Sequence, residues 1–368
     1  MFLFQQEEQK ELNSQEILEV ARKLLVSSLN KGMIPPWESF YHELPHVKDL
    51  EEVKSYFEAL TSSSFIEEIL NLKATEYFFH SKSHSLALFY TGEKRSLEFP
   101  LLDEDWQLWL EILAIRFHQN WNVQNPFISF YGELFSAKFR FSLIHASTSP
   151  EGKSKLFLRS LSSSPYDLES FGATEQISHL IKEKKNILIA GSTGSGKTSL
   201  LTSLLTLIPP QDHLVILEDT FEIFTSHPYE TRLLAGDSPQ KSLKSYLSYV
   251  MRLSPDRIVL GEMRSHEVVP FLMAMNTGHK GLMGTIHASS AVEALNRVGL
   301  LFSIFGGEVR LDFERVMELI CRNLEYVVFM EDKKVKEVIK VLGCEKGIPF
   351  YEILEEIVQE PWEFMKPV

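Results

Sequence analysis

The residues best suited to chemistry are Ala190-Gly191-Ser192-Thr193-Gly194-Ser195-Gly196-Lys197-Thr198. They fit the phosphate-loop pattern G-x-x-x-x-G-K-[ST] at every fixed position. Glycines let backbone N–H groups converge on an anion without Cβ clashes. Lys197 can reach the β- and γ-phosphates of a nucleotide, and Thr198 can offer its hydroxyl to magnesium. The expected nucleotide-binding set is Gly191, Ser192, Thr193, Gly194, Ser195, Gly196, Lys197, Thr198 and Ser199. ATP and magnesium are the implied ligands.

Nucleotide hydrolysis also needs acids that hold the metal and orient water. Leu214-Val215-Ile216-Leu217 is an apolar run ending in Glu218-Asp219, with Glu222 beyond it. Arg257-Ile258-Val259-Leu260-Gly261 ends in Glu262. Both place carboxylates at the C-terminal ends of predicted strands, the edge where open α/β sheets bind ligands. A strand ending in an acid is common as a structural feature; two such strands behind a phosphate loop point to catalysis. Glu262 is the expected metal-linked acid and Glu218 a second one. Thr277 to Ala288 then reads as a Gly/Thr-rich turn carrying His279 and His287. An imidazole there can hydrogen-bond a phosphate or an acidic strand end.

The loop needs a strand before it and a helix after it. Asn186–Ala190 reads as a short buried strand and Thr198–Ile208 as an apolar helix, whose N-terminus adds positive charge at the loop. Strands and helices alternate from there on, the pattern of a mainly parallel sheet. Leu324–Met330 and Lys336–Leu342 read as a strand pair. Upstream, Glu76–His80, Ser85–Tyr90, Lys138–Ile144 and Lys155–Leu161 read as strands and Asp105–Asn120 as a helix. Ahead of these lie helical segments, one capped at Asn13 or Ser14 and another over about Asp49–Leu60. Ser160–Pro165 has linker composition. The expected division is a helical extension over 1–62, an α/β domain over 63–160, a linker over 161–170 and a nucleotide-binding domain over 171–368.

Composition narrows the classes. The chain has 368 residues, 44% of them apolar and 24% charged, as in ordinary globular domains. No apolar run approaches the roughly 18 residues that span a bilayer, and the start lacks the basic and apolar regions of a signal peptide. A net charge of −13 argues against a broad nucleic-acid surface. Cys321 and Cys344 lie far apart in sequence without metal-ligand spacing, the pattern of buried or bystander thiols in a reducing compartment.

The order of these segments resembles the type II/type IV secretion and pilus-assembly ATPases. Gly191–Thr198 is similar to their Walker A box and Leu217-Glu218-Asp219-Thr220-Phe221-Glu222 to their acidic box. Met251 to Arg264 is similar to their arginine-rich Walker B region, and Ala274 to Ser290 to their His box. The resemblance implies a RecA-like P-loop motor domain preceded by a smaller α/β domain. Phe139-Arg140-Phe141 and Leu158-Arg159-Ser160 resemble the family segments whose arginines reach the phosphates, so Arg140 and Arg159 join Glu218, Glu262 and His287 as catalytic candidates. The chain departs from the pattern at Leu282, where the family often has a small polar residue, and it carries no four-cysteine zinc insert. What the resemblance implies is a hexameric ATPase at the inner face of the inner membrane. It would act through a membrane platform partner in pilus assembly, retraction or secretion, without nucleic acid. A nucleic-acid translocase and a non-hydrolysing nucleotide switch are the alternatives that a phosphate loop alone leaves open.

Overall fold

Buried aromatic and aliphatic side chains at every second position make the strands of the first half one-sided. In the second half, uninterrupted apolar runs make strands covered on both faces. The computed structural model describes residues 14–44, 50–80, 85–89, 92–98, 101, 103–161, 165–172, 174–236, 238–307 and 311–356. They form two units that divide between Leu161 and Ser162.

The first unit contains α1 (Ser14–Leu29), α2 (Trp37–Glu43), α3 (Leu50–Ser62), α4 (Glu67–Leu70), β1 (Glu76–Phe79), β2 (Ser85–Leu88), β3 (Lys94–Leu97), α5 (Asp103–Arg116), β4 (Phe127–Leu134), β5 (Ala137–Ile144) and β6 (Lys155–Leu161). Its sheet runs β3-β2-β1-β6-β5-β4, antiparallel throughout. The helices over 14–62 share its core: Ala21, Leu25, Val53 and Leu60 are buried with Tyr77, Phe139 and Phe141 of the sheet. A polar junction ties three helices together. Asp105 Oδ1 on α5 accepts from Arg22 Nε of α1 at 2.8 Å and from Tyr56 Oη of α3 at 2.5 Å. Asp105 is buried, and these charge-assisted bonds replace its lost hydration. Residue 13, the alternative cap of the first helix, lies outside the described residues.

The second unit contains α6 (Thr174–Lys182), β7 (Ile187–Gly191), α7 (Lys197–Leu205), β8 (Leu214–Glu218), β9 (Glu230–Leu234), α8 (Leu243–Val250), β10 (Arg257–Met263), α9 (Val268–Asn276), β11 (Leu282–His287), α10 (Ala291–Phe305), α11 (Phe313–Asn323), β12 (Tyr326–Glu331), β13 (Lys334–Glu345) and β14 (Ile348–Glu356). Of the linker-like stretch, 162–164 lie outside the described residues; Phe171, the first residue beyond it, is buried in this unit's core. Its sheet runs β14-β13-β12-β7-β11-β10-β8-β9. The strands from β12 to β9 are parallel; β13 and β14 continue the sheet antiparallel. Alternate residues of each central strand feed two separate cores. Ile187, Ile189, Leu214 and Ile216 enter one; Leu188, Ala190, Val215 and Leu217 enter the other.

One sequence expectation is corrected here. Leu282–His287, read as part of a turn, is the central strand β11 between β7 and β10, buried from Leu282 to Ile286. Gly284 is closely packed there: a Cβ would stand 3.3 Å from the Phe271 ring, so the ring would have to give way slightly. The expected strand pair at the end of the chain has a third member, β14.

Candidate active site

The phosphate loop leaves the end of β7 and returns into the first turn of α7. Gly194 and Gly196 have φ of +76° and +94°, values that side chains disfavour. A Cβ on Gly191 would collide with the Met330 carbonyl oxygen and stand 2.5 Å from Ser195 Oγ, so only glycine fits there. An anion fits this loop on three counts. No side chain caps the first N–H groups of α7, which begins on Gly196. Ser195 Oγ is buried without a hydrogen-bond partner. Lys197, itself buried, directs its ammonium to the Gly191 and Ser192 carbonyls at 3.0 and 2.7 Å. Burial holds the Lys197 pKa below its ordinary value, against the charge of Glu262.

The strand ends bring the other candidates to the loop. In the β11–β7 register His287 pairs with Gly191. The β10–β11 register slips between Leu260 and Met263, giving β10 an extra residue at Gly261–Glu262. Such a bulge re-aims a side chain beside a site. Thr285 Oγ1 anchors it by donating to the Gly261 carbonyl at 2.6 Å. Glu262 Oε1 consequently lies 3.0 Å from His287 Nε2. The contact is close but not aligned as a hydrogen bond, and Oε1 has no hydrogen-bond partner. Behind it, His287 Nδ1 lies 3.3 Å from Lys197 Nζ. An ammonium can only donate, so Nδ1 accepts and the proton resides on Nε2, toward Glu262. Burial, then the Lys197 charge, hold the His287 pKa below its usual value, so the ring is neutral at pH 7. Burial pushes the Glu262 carboxyl up, but Arg264, His287 and Lys197 more than reverse this and hold it below the usual carboxylate range. Arg264 ion-pairs with Glu262 and reaches Asp219 Oδ2 at 3.0 Å.

Glu218, expected as a second catalytic acid, is almost fully buried with both oxygens engaged. Oε1 accepts from the Glu222 and Ile223 N–H groups at 2.9 and 2.8 Å, and Oε2 from Arg232 Nη1 at 2.6 Å. Burial pushes its pKa up to about 7, against the pull of these donors. Thr198, Glu218, Glu222, Glu262 and Arg264 line one small cleft at the start of α7. On the other side of the loop, Ser192, Thr193, His287, Arg297 and Phe313 line an open cleft of about 780 Å³.

Lys197, Thr198, Glu218, Glu262 and His287 are thus brought together, with Ser199 on the first turn of α7. His279 is not among them. It precedes β11, whose rise of about 3.3 Å per residue puts it some 17 Å or more of strand away from His287. Arg140 and Arg159 lie on the first unit, directly opposite one another on β5 and β6. Arg159 pairs with Glu76 at 2.8 Å, and Arg140 Nε donates to Ser129 Oγ at 3.2 Å. Arg257, from the arginine-rich segment, starts β10 at the opposite sheet edge. It is buried against Asp212 Oδ2 at 2.8 Å and the Ile181 carbonyl at 2.7 Å. The sequence reading did not single out Arg232 or Arg264. Arg264 was findable, since a residue two positions beyond a strand-end acid shares its face. Arg232 carries no such local signal.

A model of the family described as type II/IV secretion system protein matches residues 136–347, more than half of the chain. The chain belongs to this family. Among curated members of like sequence it is 36% identical over 170 residues to the conjugal transfer protein TrbB of Rhizobium radiobacter, a match covering 44% of this chain and 50% of that one. It is 32% identical over 169 residues to the type IV secretion system protein VirB11 of Bartonella quintana, covering 45% and 47%. The chain spans about half the length of the curated relatives it matches. The solved pilus retraction motor PilT with bound ADP shares the fold, with a TM-score of 0.58 and 21% identity over 80% of this chain and 82% of that one. This type II/IV secretion family chain therefore has the mixed α/β, RecA-type architecture expected from its motifs. Among the described residues no helix is long and apolar enough to cross a membrane.

Proposed function

We propose that this chain is a magnesium-dependent ATP hydrolase that works as a hexameric motor at the inner face of the inner membrane, driving pilus assembly, retraction or secretion through a membrane platform partner. The observation that carries the reading is the run Lys197–His287–Glu262, a phosphate-binding cation joined through one neutral imidazole to an ionised carboxylate. Names of relatives that speak of conjugal transfer, type IV secretion and pilus retraction support the kind of work.

The loop amides and Ser195 hydroxyl bind the phosphates, and Lys197 exchanges its carbonyl partners for phosphate oxygens. Thr198 and Glu262 would hold magnesium, which neutralises charge on the phosphates when bound. Glu262, kept ionised by Arg264, orients the attacking water. His287 reports at Glu262 whether Lys197 is engaged on phosphate. Glu218 fixes the segment that carries Asp219 and Glu222. Arg140 and Arg159 supply further charge to the phosphates, in the fork geometry suited to them. Binding and release of the nucleotide then alternate two conformations that the platform partner feels.

Glu262→Gln tests the reading. It keeps ATP binding and lowers turnover by about 100-fold or more, the usual worth of a positioned acid or base, with Lys197→Ala as the blank. Turnover at the unmodified rate would overturn the assignment.

A further inference from the structure

The chain's two cysteines, separated in sequence, meet in the fold. Cys321 lies on the buried face of α11, and Cys344 lies near the end of β13 against the same core. A backbone irregularity brings Cys344 there. In the β13–β14 register Val341 faces Tyr351 and Gly343 faces Phe350, so Leu342 is one residue too many. Strand alternation would put Cys344 on the face opposite Val341. The bulge at Leu342 reverses that parity, leaves Leu342 exposed and turns Cys344 onto the face covered by α11. A Cβ on Gly343 beside it would stand 2.6 Å from the half-exposed Phe350 ring, which would have to swing aside. Both thiols open onto one cleft of about 370 Å³ walled by Glu318, Arg322 and Leu342.

We propose that Cys321 and Cys344 are a redox couple, oxidised by hydrogen peroxide to an intrachain disulfide that pins α11 to β13 and returned to two thiols by exchange with a dithiol reductant. Cys344, the less buried, reacts first. Its thiolate attacks one peroxide oxygen, an S–O bond forms, the O–O bond breaks and the departing hydroxide leaves as water. The Cys321 thiolate then attacks the Cys344 sulfur. The S–S bond forms, the S–O bond breaks, and the second hydroxide leaves as water with the remaining thiol proton. Two thiols are oxidised by two electrons and the peroxide is reduced to two waters. Burial pushes Cys321 up to about 12. Burial also raises Cys344, with Glu318 and Glu314 adding to it and the Gly347 N–H opposing. Thiolate is therefore scarce at neutral pH and the couple responds slowly, over sustained rather than brief exposure. The bond would fix the helix whose first residue, Phe313, walls the cleft beside Ser192 and Thr193.

The test uses the reduced full-length protein, incubated with hydrogen peroxide until the thiol content is constant. Free thiols are counted by maleimide mass tagging under denaturing conditions, and the peptides are mapped. We expect both thiols to disappear together, the mass to fall by two hydrogens, a peptide joining Cys321 to Cys344, recovery with dithiothreitol, and melting several degrees higher when oxidised. Cys321→Ser and Cys344→Ser, which keep the shape of the site, should each leave one thiol that goes on to oxygenated acids. Overturning results are sulfinic or sulfonic acid at one cysteine of the unmodified protein with the other free, crosslinks only between chains, or both thiols intact at the end point.

Discussion

Arg232 donates to Glu218 across two neighbouring strands at 2.6 Å, and Arg232 is the one cation that pairs with this acid among the described residues. Its guanidinium also stacks over the Phe221 ring at 4.4 Å and donates to the Ile223 carbonyl, so a single side chain holds the segment behind the cleft. Arg232→Ala removes the cation from a buried acid that then takes up a proton, and the lost charge-assisted hydrogen bonds cost about 1–3 kcal/mol. Denaturant unfolding would show the loss.

The same acid gives the stability a defined pH dependence. Glu218 titrates near 7 in the folded chain, above its value when unfolded, because burial disfavours the ionised form. The folded state therefore binds more protons over that interval. The contribution is complete below the ordinary carboxylate range and is lost as pH rises through about 7. Glu218→Gln cannot titrate. Comparing urea midpoints at pH 5 and pH 8, the unmodified protein should lose more stability than the variant. Equal losses would show that Glu218 is already ionised at pH 5.

His287 is held below its ordinary pKa by burial first and by the Lys197 ammonium second. Lys197→Ala removes the second cause and leaves Glu262, which favours the imidazolium. The imidazole titration followed by NMR should then move to higher pH, while Glu262→Gln moves it lower. A His287 titration that ignores both changes would mean that the three groups do not communicate.

Arg140 and Arg159 face each other directly, an arrangement of like charges that weakens a sheet. Arg159 is about half exposed and its pair with Glu76 is worth little, so Arg159→Ala should change stability by less than about 1 kcal/mol. If both arginines serve the phosphates, ATP turnover should nevertheless fall by about 100-fold or more for either alanine variant. Turnover that falls only in step with stability would remove them from the site.

The motifs that were legible in the sequence are those whose meaning is local. The phosphate loop carries its glycines, lysine and hydroxyl within nine residues, and the strand-end acids of β8 and β10 follow unbroken apolar runs. What escaped depends on neighbours in space. Gly284 and Thr285 read as turn residues until β7 and β10 enclose them. The reach of Glu262 and the facing of Cys344 each hang on one extra residue in a strand, which only the register reveals. The helices over 14–62 carry no chemistry of their own, and their apolar stripes gain meaning only against the sheet they cover.

The strand that ends in the phosphate loop is flanked on one side by β12, whose Tyr326 pairs with Ile187, 139 positions earlier. Such distant pairing is slow to form, because much chain entropy is lost before the contact repays it. During synthesis the loop motif emerges from the ribosome long before the strand that completes its support. The newborn chain must therefore carry a fully apolar β7 with its β12 edge open through that interval. Met330 of β12 pairs with Gly191, and its carbonyl backs the start of the phosphate loop, so that support is complete only once the distant strand has paired.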